Sequence, residues 1–486
     1  MSSSSVWWRA ALAVALMVGF YALAALVVFI CWGGTWWLFT SAGRIPIKLI
    51  FFMVVGGGIV LWSVLPRWDS FEAPGPLLTA EKHPRLFEVI RAVAMRTGQP
   101  VPHEVYLVSD VNAFVANRGG IMGFGSRPVM GIGLPLLQGL SIAEMKAVIA
   151  HEFGHYVGGD TRLGPWIYKT RAAIARSVEN LASAQSLLTF PFTLYMKLFL
   201  RVSHAVSRHQ EFQADRVSAE VTSPADAGRA LRRVHAIAPA YDLYWRSEVV
   251  PVIDGGFRPP LAGGFVSFLD VPRHREIVEE SLRTVPEENA DPYDTHPPLS
   301  QRLAALGAPD EAPPVHPDEA AVSLLGDLGA AEEALVASLL QPGVTLAALG
   351  WDDVGARVYA AGWREAVQGE APLGGVKLAE VRSFVLDPMR FVSLLAPDAT
   401  GVTEAQAIAF TRGRAGVIVA LALVRAGWAV HTAPGRSVEF RRGATTIDLD
   451  ELMKSVDGPV EAWTARLAEL GVDATMQQMT GRQLAA

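Results

Sequence analysis

The segment His151-Glu152-Phe153-Gly154-His155 sets two imidazoles four residues apart, with a carboxylate directly after the first. On a helix, residues i and i+4 project from one face, so both rings can reach a single ion. The Glu after the first His then lies beside the ion without ligating it, where it can take a proton from a water. The chain has only eleven histidines. An accidental match to this spacing is therefore expected in about one such chain in a hundred.

A hydrolytic zinc site uses three protein ligands and keeps one position open, so a third ligand must come from elsewhere. The single cysteine, Cys31, lies in an apolar run, which excludes both an internal disulfide framework and a cysteine-rich zinc knuckle. A third histidine six residues after His155 is excluded as well: Gly158 fits that pattern, but Thr161 stands in the final position. A later carboxylate remains, and Glu179 and Glu211 are the candidates. Glu211, in SRHQEFQADRVSAE, has Asp215 one turn on and on the same helical face. That Asp can accept the free N–H of a ligating His and fix its tautomer. Glu179 has no such partner. The expected ligands are His151, His155 and Glu211, supported by Asp215, for one Zn2+ per chain. His204 and His209 read as helix-surface residues.

These residues need elements to hold them. Ser141 and Glu144 form a capping box ahead of an apolar stripe of Ile142, Met145, Val148 and Ile149, which predicts a helix carrying the two histidines. Upstream, Glu104 to Val108, Asn112 to Val115 and Val129 to Leu134 read as short strands between glycine-rich turns. A strand edge beside a metal cleft can hold an extended peptide by main-chain bonds.

The N-terminus supplies an anchor. No charge occurs from Ala10 to Gly43, and about Ala10 to Trp32 is long enough to cross a bilayer. A second uncharged run, Leu49 to Pro66, follows at once, which argues against a cleaved signal peptide. Trp7, Trp8, Trp32, Trp36, Trp37, Trp62 and Trp68 cluster near the ends of these runs, where indole rings prefer the interface. A third apolar stretch, Leu187 to Val202, carries Pro191, Lys197 and Arg201. It reads equally as a membrane-surface helix, a capping hairpin or a crossing. The chain is 51% hydrophobic with a formal charge of -6 and no basic tract, so it is not expected to bind nucleic acid.

Ala308 to Ala320, rich in Pro and acidic residues, reads as a linker. Beyond it, Val322 to Leu340, Val354 to Val367 and Thr403 to Trp428 have helical spacing, the last too short to span. Trp428 to Ile447 suggests an antiparallel meander. No catalytic constellation stands out there; this region is a candidate to bind a regulatory partner.

HEFGH, then SRHQEFQAD, then THPPLSQR, resemble in order and spacing the membrane metallopeptidases that include the HtpX heat-shock proteases and the CAAX prenyl endopeptidases. The resemblance spans roughly residues 81–306. It implies a zincin-like (gluzincin) domain in which the distal Glu, here Glu211, is the third zinc ligand. It places Asn112, Ala113 and Phe114 on an edge strand along the cleft, with Asn112 and Phe114 as candidate substrate contacts. It also brings His296 and Arg302 close to the metal cleft. His296 is then the candidate donor to the developing oxyanion, with Arg302 in support and Glu152 as general base. His296 before two prolines equally fits a turn anchor.

The fold class expected is α+β, mainly α. It comprises two N-terminal transmembrane helices (1–68), a zinc metallopeptidase domain with a small β-sheet (69–307), a linker (308–320) and a separate α+β C-terminal domain (321–486). Partners expected are protein or peptide substrates and the lipid bilayer. The leading reading is a membrane-anchored endopeptidase for membrane or misfolded proteins. Its rivals are a narrow CAAX-type processing protease and a catalytically silent scaffold with a structural zinc.

Two spans put the amino terminus, Arg9, Arg67, Lys82, Arg85 and Arg91 on one side, against Arg44 and Lys48 in the connecting loop. The positive-inside rule then places the bulk of the chain in the cytoplasm. Protease added to inverted membrane vesicles should therefore degrade the C-terminal region; a shielded C-terminus would reverse the orientation.

Overall fold

The computed structural model describes residues 3–41, 47–65, 71–118, 127–156, 164–184, 186–285 and 296–475. Arg44, Arg67, Trp68, Gly158 and Thr161, all used above, lie outside them. The chain divides into two compact units, Met1–Ile237 with Glu279–Ala331, and Ala238–Val278 with Glu332–Ala486. Ala238–Val278 thus groups with the C-terminal part of the chain, across the boundary expected near residues 308–320.

The first unit begins with α1 (Ser3–Ser41) and α2 (Ile47–Val64). Both are long and apolar enough to cross a membrane, α1 over Ala11–Ser41. Helix α1 runs past Trp32, where the first span was expected to end, because the next nine residues hold neither a proline nor a charge.

After α2 come β1 (Leu77–Leu78), α3 (Pro84–Thr97), β2 (Glu104–Val108), β3 (Ala113–Arg118), β4 (Arg127–Gly133), α4 (Leu134–Gly139), α5 (Ile142–Gly154), α6 (Gly164–Ser183), α7 (Thr189–Val221) and α8 (Pro224–Tyr244). The sheet has the order β1-β2-β4-β3. Strand β4 runs parallel to β2 and antiparallel to β3, and β3 is an edge strand of the sheet among the described residues.

The apolar stretch from Leu187 opens α7, with Pro191 in its first turn, where a missing N–H costs nothing. Its inner face joins α1, α2 and α6. Phe20, Val60, Ile174, Leu181, Phe192 and Phe199 form one buried cluster, and Asn180 donates to the Ser63 hydroxyl at 3.0 Å. The outer residues Leu187, Phe190, Leu194 and Leu198 are exposed, Leu187 at 95%. From Ser203 onward the buried positions Glu211, Asp215, Ser218 and Val221 recur every three or four residues, with Ala214 beside them, so one 33-residue helix serves both an apolar bundle and the site.

Residues 308–320 do not run free. Arg233 donates to the carbonyls of Pro314 at 2.6 Å and Val315 at 2.8 Å, and Ser141 pairs with Ala320 in a β-bridge. Backbone groups that a flexible linker would leave to water are satisfied here by α8 and by the start of α5.

In the second unit the helix Glu404–Arg425 is the hub. Ile418, Val419, Leu421 and Leu423 are 1% exposed or less. Its length and composition would suit a membrane span. The buried flank and the ion pairs of Arg412 with Asp457 and Arg414 with Glu370 make it a core helix of this unit. The expected meander is present as antiparallel strands Ala429–His431, Glu439–Arg442 and Thr445–Asp448.

The Arg233 guanidinium also pairs with Glu144 at 2.9 Å, with both side chains 2% exposed. Arg233→Met would leave the Glu144 carboxylate buried without its counter-ion. The detergent-solubilised protein should lose about 3–5 kcal/mol of unfolding free energy. A loss below about 1 kcal/mol, the size of an exposed pair, would contradict this account of the contact.

Candidate metal centre

The capping box expected from sequence starts α5. The Ser141 hydroxyl accepts from Glu144 N–H, and Glu144 accepts from Ser141 N–H at 2.8 Å. Met145, Ile149 and Phe153 bury one face, and His151 and Glu152 stand at the edge of the cleft. His155 directly follows the helix and keeps helical dihedrals, φ -62 and ψ -17, so its ring stays in line with that of His151.

Helix α7 crosses α5 closely because α5 lacks a side chain at Gly154. A β-carbon there would lie 2.7 Å from the Ala214 Cα, too near for any side chain. The Ser218 hydroxyl donates to the Ala147 carbonyl at 2.7 Å and fixes the same crossing one turn away.

Glu211 thereby faces both imidazoles. Its carboxylate oxygens lie 3.6 Å from His151 Nε2 and 3.7 Å from His155 Nε2. These separations are long for hydrogen bonds, but atoms about 2.0–2.2 Å from one tetrahedral ion are themselves about 3.3–3.6 Å apart. Glu152 belongs to the cluster too: one donor atom each from His151, Glu152 and His155 fall within 4.8 Å of one another. Four donors thus converge. Glu211, with one oxygen towards each Nε2 atom, has the geometry of a candidate third ligand.

Behind them, His151 Nδ1 lies 3.1 Å from Asp215 Oδ1, a contact close in distance but bent from an ideal hydrogen bond. Arg302, on the Leu299–Leu306 helix, grips Asp215 with two bonds of 2.8 and 2.6 Å and lies 3.4 Å from Glu211. His296 Nδ1 lies 3.1 Å from Glu211 Oε2, and its side chain is 62% exposed.

The remaining sequence candidates separate. Asn112 lines the cleft, whose volume is about 640 Å³, together with Ala113. Phe114 does not: its ring covers Gly131 on β4, filling the space that glycine leaves. Glu179 is exposed on α6 and does not line the cleft. His204 is 5% exposed, not a surface residue, because it lies on the packed face of α7.

Sequence reading did not single out the α8 wall of the cleft, formed by Ala227, Ala230, Leu231 and Val234. Their spacing of three and four marks a packed face, but nothing in that pattern says what it faces.

The electrostatics suit a cation. Burial raises the Glu152 carboxyl to about 7. Burial, then the charge of His151, lowers His155 to about 4. Burial opposes a proton on His151, but Asp215 and Glu211 outweigh it and raise the imidazole to about 9. Glu211 and Asp215 stay below the usual carboxylate range despite burial, held there by His151, His296 and Arg302 around Glu211 and by Arg302 and His151 around Asp215. With His151 neutral, as a ligand must be, three ionised carboxylates and one guanidinium leave two negative charges that a divalent cation would offset. The donor set therefore fits zinc: two imidazoles, a carboxylate and a second carboxylate beside them.

Residues 80–310 match peptidase family M48. Among curated proteins, a "Protease HtpX homolog" of Tropheryma whipplei (strain TW08/27) is 28% identical over 179 residues, covering 33% of this chain and 60% of that protein. A "Protease HtpX homolog" of Archaeoglobus fulgidus is 26% identical, covering 46% of this chain and 67% of that protein. "Protease HtpX" of Yersinia enterocolitica is 22% identical, covering 51% and 83%. The chain thus spans about 60% of the Tropheryma relative it matches. No solved structure matches.

A ligating imidazole must be neutral, so metal entry displaces the proton that His151 holds up to about 9. Apparent metal affinity should rise about tenfold per pH unit from 7 towards 9 and then flatten. Competition titration against a chelator of known pH dependence reads this; an affinity independent of pH would contradict the proton assignment.

Proposed function

Since the chain is an HtpX-like member of peptidase family M48 through residues 80–310, we propose that it is a membrane-anchored, zinc-dependent endopeptidase. The observation that carries this reading is the convergence of His151, His155 and Glu211, at 3.6 and 3.7 Å, with Glu152 beside them at the cleft. His151, His155 and Glu211 would hold the ion. Bound there, zinc would supply Lewis-acid polarisation of a carbonyl and acidify a water.

The chain's own residues do the rest. Glu152, whose burial raises its carboxyl to about 7, has a proton affinity suited to exchanging protons near neutral pH. It takes a proton from the water whose oxygen attacks the scissile carbonyl carbon. It then delivers that proton to the leaving nitrogen as the C–N bond breaks. Asp215 orients the His151 ring from behind, and Arg302 holds Asp215 in place by two bonds, so both are positioning residues. His296, exposed at the mouth, is the donor available to the developing oxyanion. The Glu211 oxygen that faces His151, Oε2, also lies 3.1 Å from His296 Nδ1 and 3.4 Å from the Arg302 guanidinium.

The apolar wall of Ala227, Ala230, Leu231 and Val234 favours an apolar side chain next to the cleaved bond. Helices α1 and α2, with the exposed Leu187, Phe190, Leu194 and Leu198 beside their bundle, support a bilayer location and substrates that are membrane or misfolded proteins. The cytoplasmic orientation follows from the charge asymmetry of the sequence alone.

Glu152→Gln should retain one zinc per chain and lose at least about a hundredfold in peptide hydrolysis, the usual contribution of a general base. Glu211→Ala should lose the metal together with the activity. If Glu152→Gln cleaves as well as the parent, the base is elsewhere. If neither form cleaves although both bind zinc, the scaffold reading gains.

A further inference from the structure

In an antiparallel pair, facing residues alternate between those that exchange both main-chain bonds and those whose N–H and C=O point outward. The register fixes that parity for β3. Gly133 N–H donates to the Asn112 carbonyl at 2.8 Å, so these two face each other as a bonded pair. The pairing continues with Ala113 opposite Ile132, Phe114 opposite Gly131 and Val115 opposite Met130. Phe114 and Ala116 therefore bond to β4, whereas Ala113 and Val115 turn their N–H and C=O groups to the open edge. Ala113 lines the cleft.

The outward carbonyl of Val115 is already taken. The Tyr156 hydroxyl donates to it at 2.7 Å, reaching across from the residue directly after His155. At Ala113 no such bond is made by any described side chain, so both outward groups there remain available to an incoming backbone.

We infer that Tyr156 limits the length of substrate backbone that β3 can hold: an extended peptide exchanges both bonds with Ala113, but its next N–H finds the Val115 carbonyl occupied by the phenol. The inference rests on the peptidase reading only in taking an extended peptide as the occupant of the edge. Beyond Ala113 a bound peptide N–H must share the Val115 carbonyl with the phenol lying across it, so binding is concentrated on residues next to the metal. Tyr156 is thus a specificity-determining residue that selects for short extended segments. It also ties the end of α5 to the strand, and this structural role must be separated from the selective one.

Peptide length separates them. Binding is measured by fluorescence anisotropy on the zinc-loaded Glu152→Gln protein, with and without Tyr156→Phe. The probes are a short extended peptide and two versions lengthened by two residues at either end. Tyr156→Phe frees the carbonyl, so one lengthened peptide should bind about three- to tenfold more tightly, the worth of one net hydrogen bond. The short peptide should be unchanged. N-methylation of the amide that reaches Val115 should abolish the gain in Tyr156→Phe and leave binding to the protein with Tyr156 unaltered, a control that does not depend on how well the variant folds. Equal changes for all three peptides, or none, would overturn the inference. Cleavage of the short peptide by the parent enzyme is read separately. Its absence would sink the peptidase reading, whereas cleavage without the length effect sinks only the role of Tyr156.

Discussion

Where α5 and α7 cross, the missing side chain of Gly154 lets the Ala214 backbone into space that a β-carbon would need, 2.7 Å from the Ala214 Cα. The geometry of the site depends on that approach. Ala214 stands between Glu211 and Asp215 in sequence, so the depth of the crossing sets how far both carboxylates lie from His151 and His155. The Ser218 bond to Ala147, at 2.7 Å, fixes the rotation of one helix on the other. A methyl group at Gly154 would force the two helices apart and lengthen the separations between Glu211 and the two imidazoles.

Electrostatics complete what the crossing begins. Carboxylates crowded around two imidazoles repel one another, and Arg302 offsets part of that repulsion through its paired bonds of 2.8 and 2.6 Å to Asp215. Removing the guanidinium would leave Asp215, 3% exposed at its side chain, as an unbalanced charge. The site is built in layers: proposed ligands at the cleft, a carboxylate behind one of them, and a cation behind that. The buried Arg233–Glu144 pair serves α5 from its other end, holding the capping carboxylate and residues 308–320 together.

Much of this was legible in the residues. The capping box of Ser141 and Glu144 is local, set by neighbours three apart, and it appears as read. The spacing of Glu211 and Asp215 places both on one helical face, and both reach His151. Other features depended on partners distant in sequence. The resemblance makes Phe114 a candidate substrate contact beside Asn112, yet its ring answers to Gly131 on another strand. Residues 308–320 have the composition of a linker, and only the fold brings Arg233 to their carbonyls. His204 looked like a surface residue, because the burial of one face of α7 against an apolar bundle cannot be read from a helix alone. Tyr156 sits beside the clearest motif in the chain, but its bond to Val115 needs the strand parity to be known first.

X-ray absorption at the zinc edge of the purified, detergent-solubilised protein tests the central claim, that His151, His155 and Glu211 enclose one ion. The account predicts a stoichiometric metal with only nitrogen and oxygen neighbours at about 2.0–2.1 Å and outer-shell scattering from two imidazoles, which falls away in Glu211→Ala along with the bound metal. A sulfur neighbour, a single imidazole, or a zinc site unaltered in Glu211→Ala would contradict it.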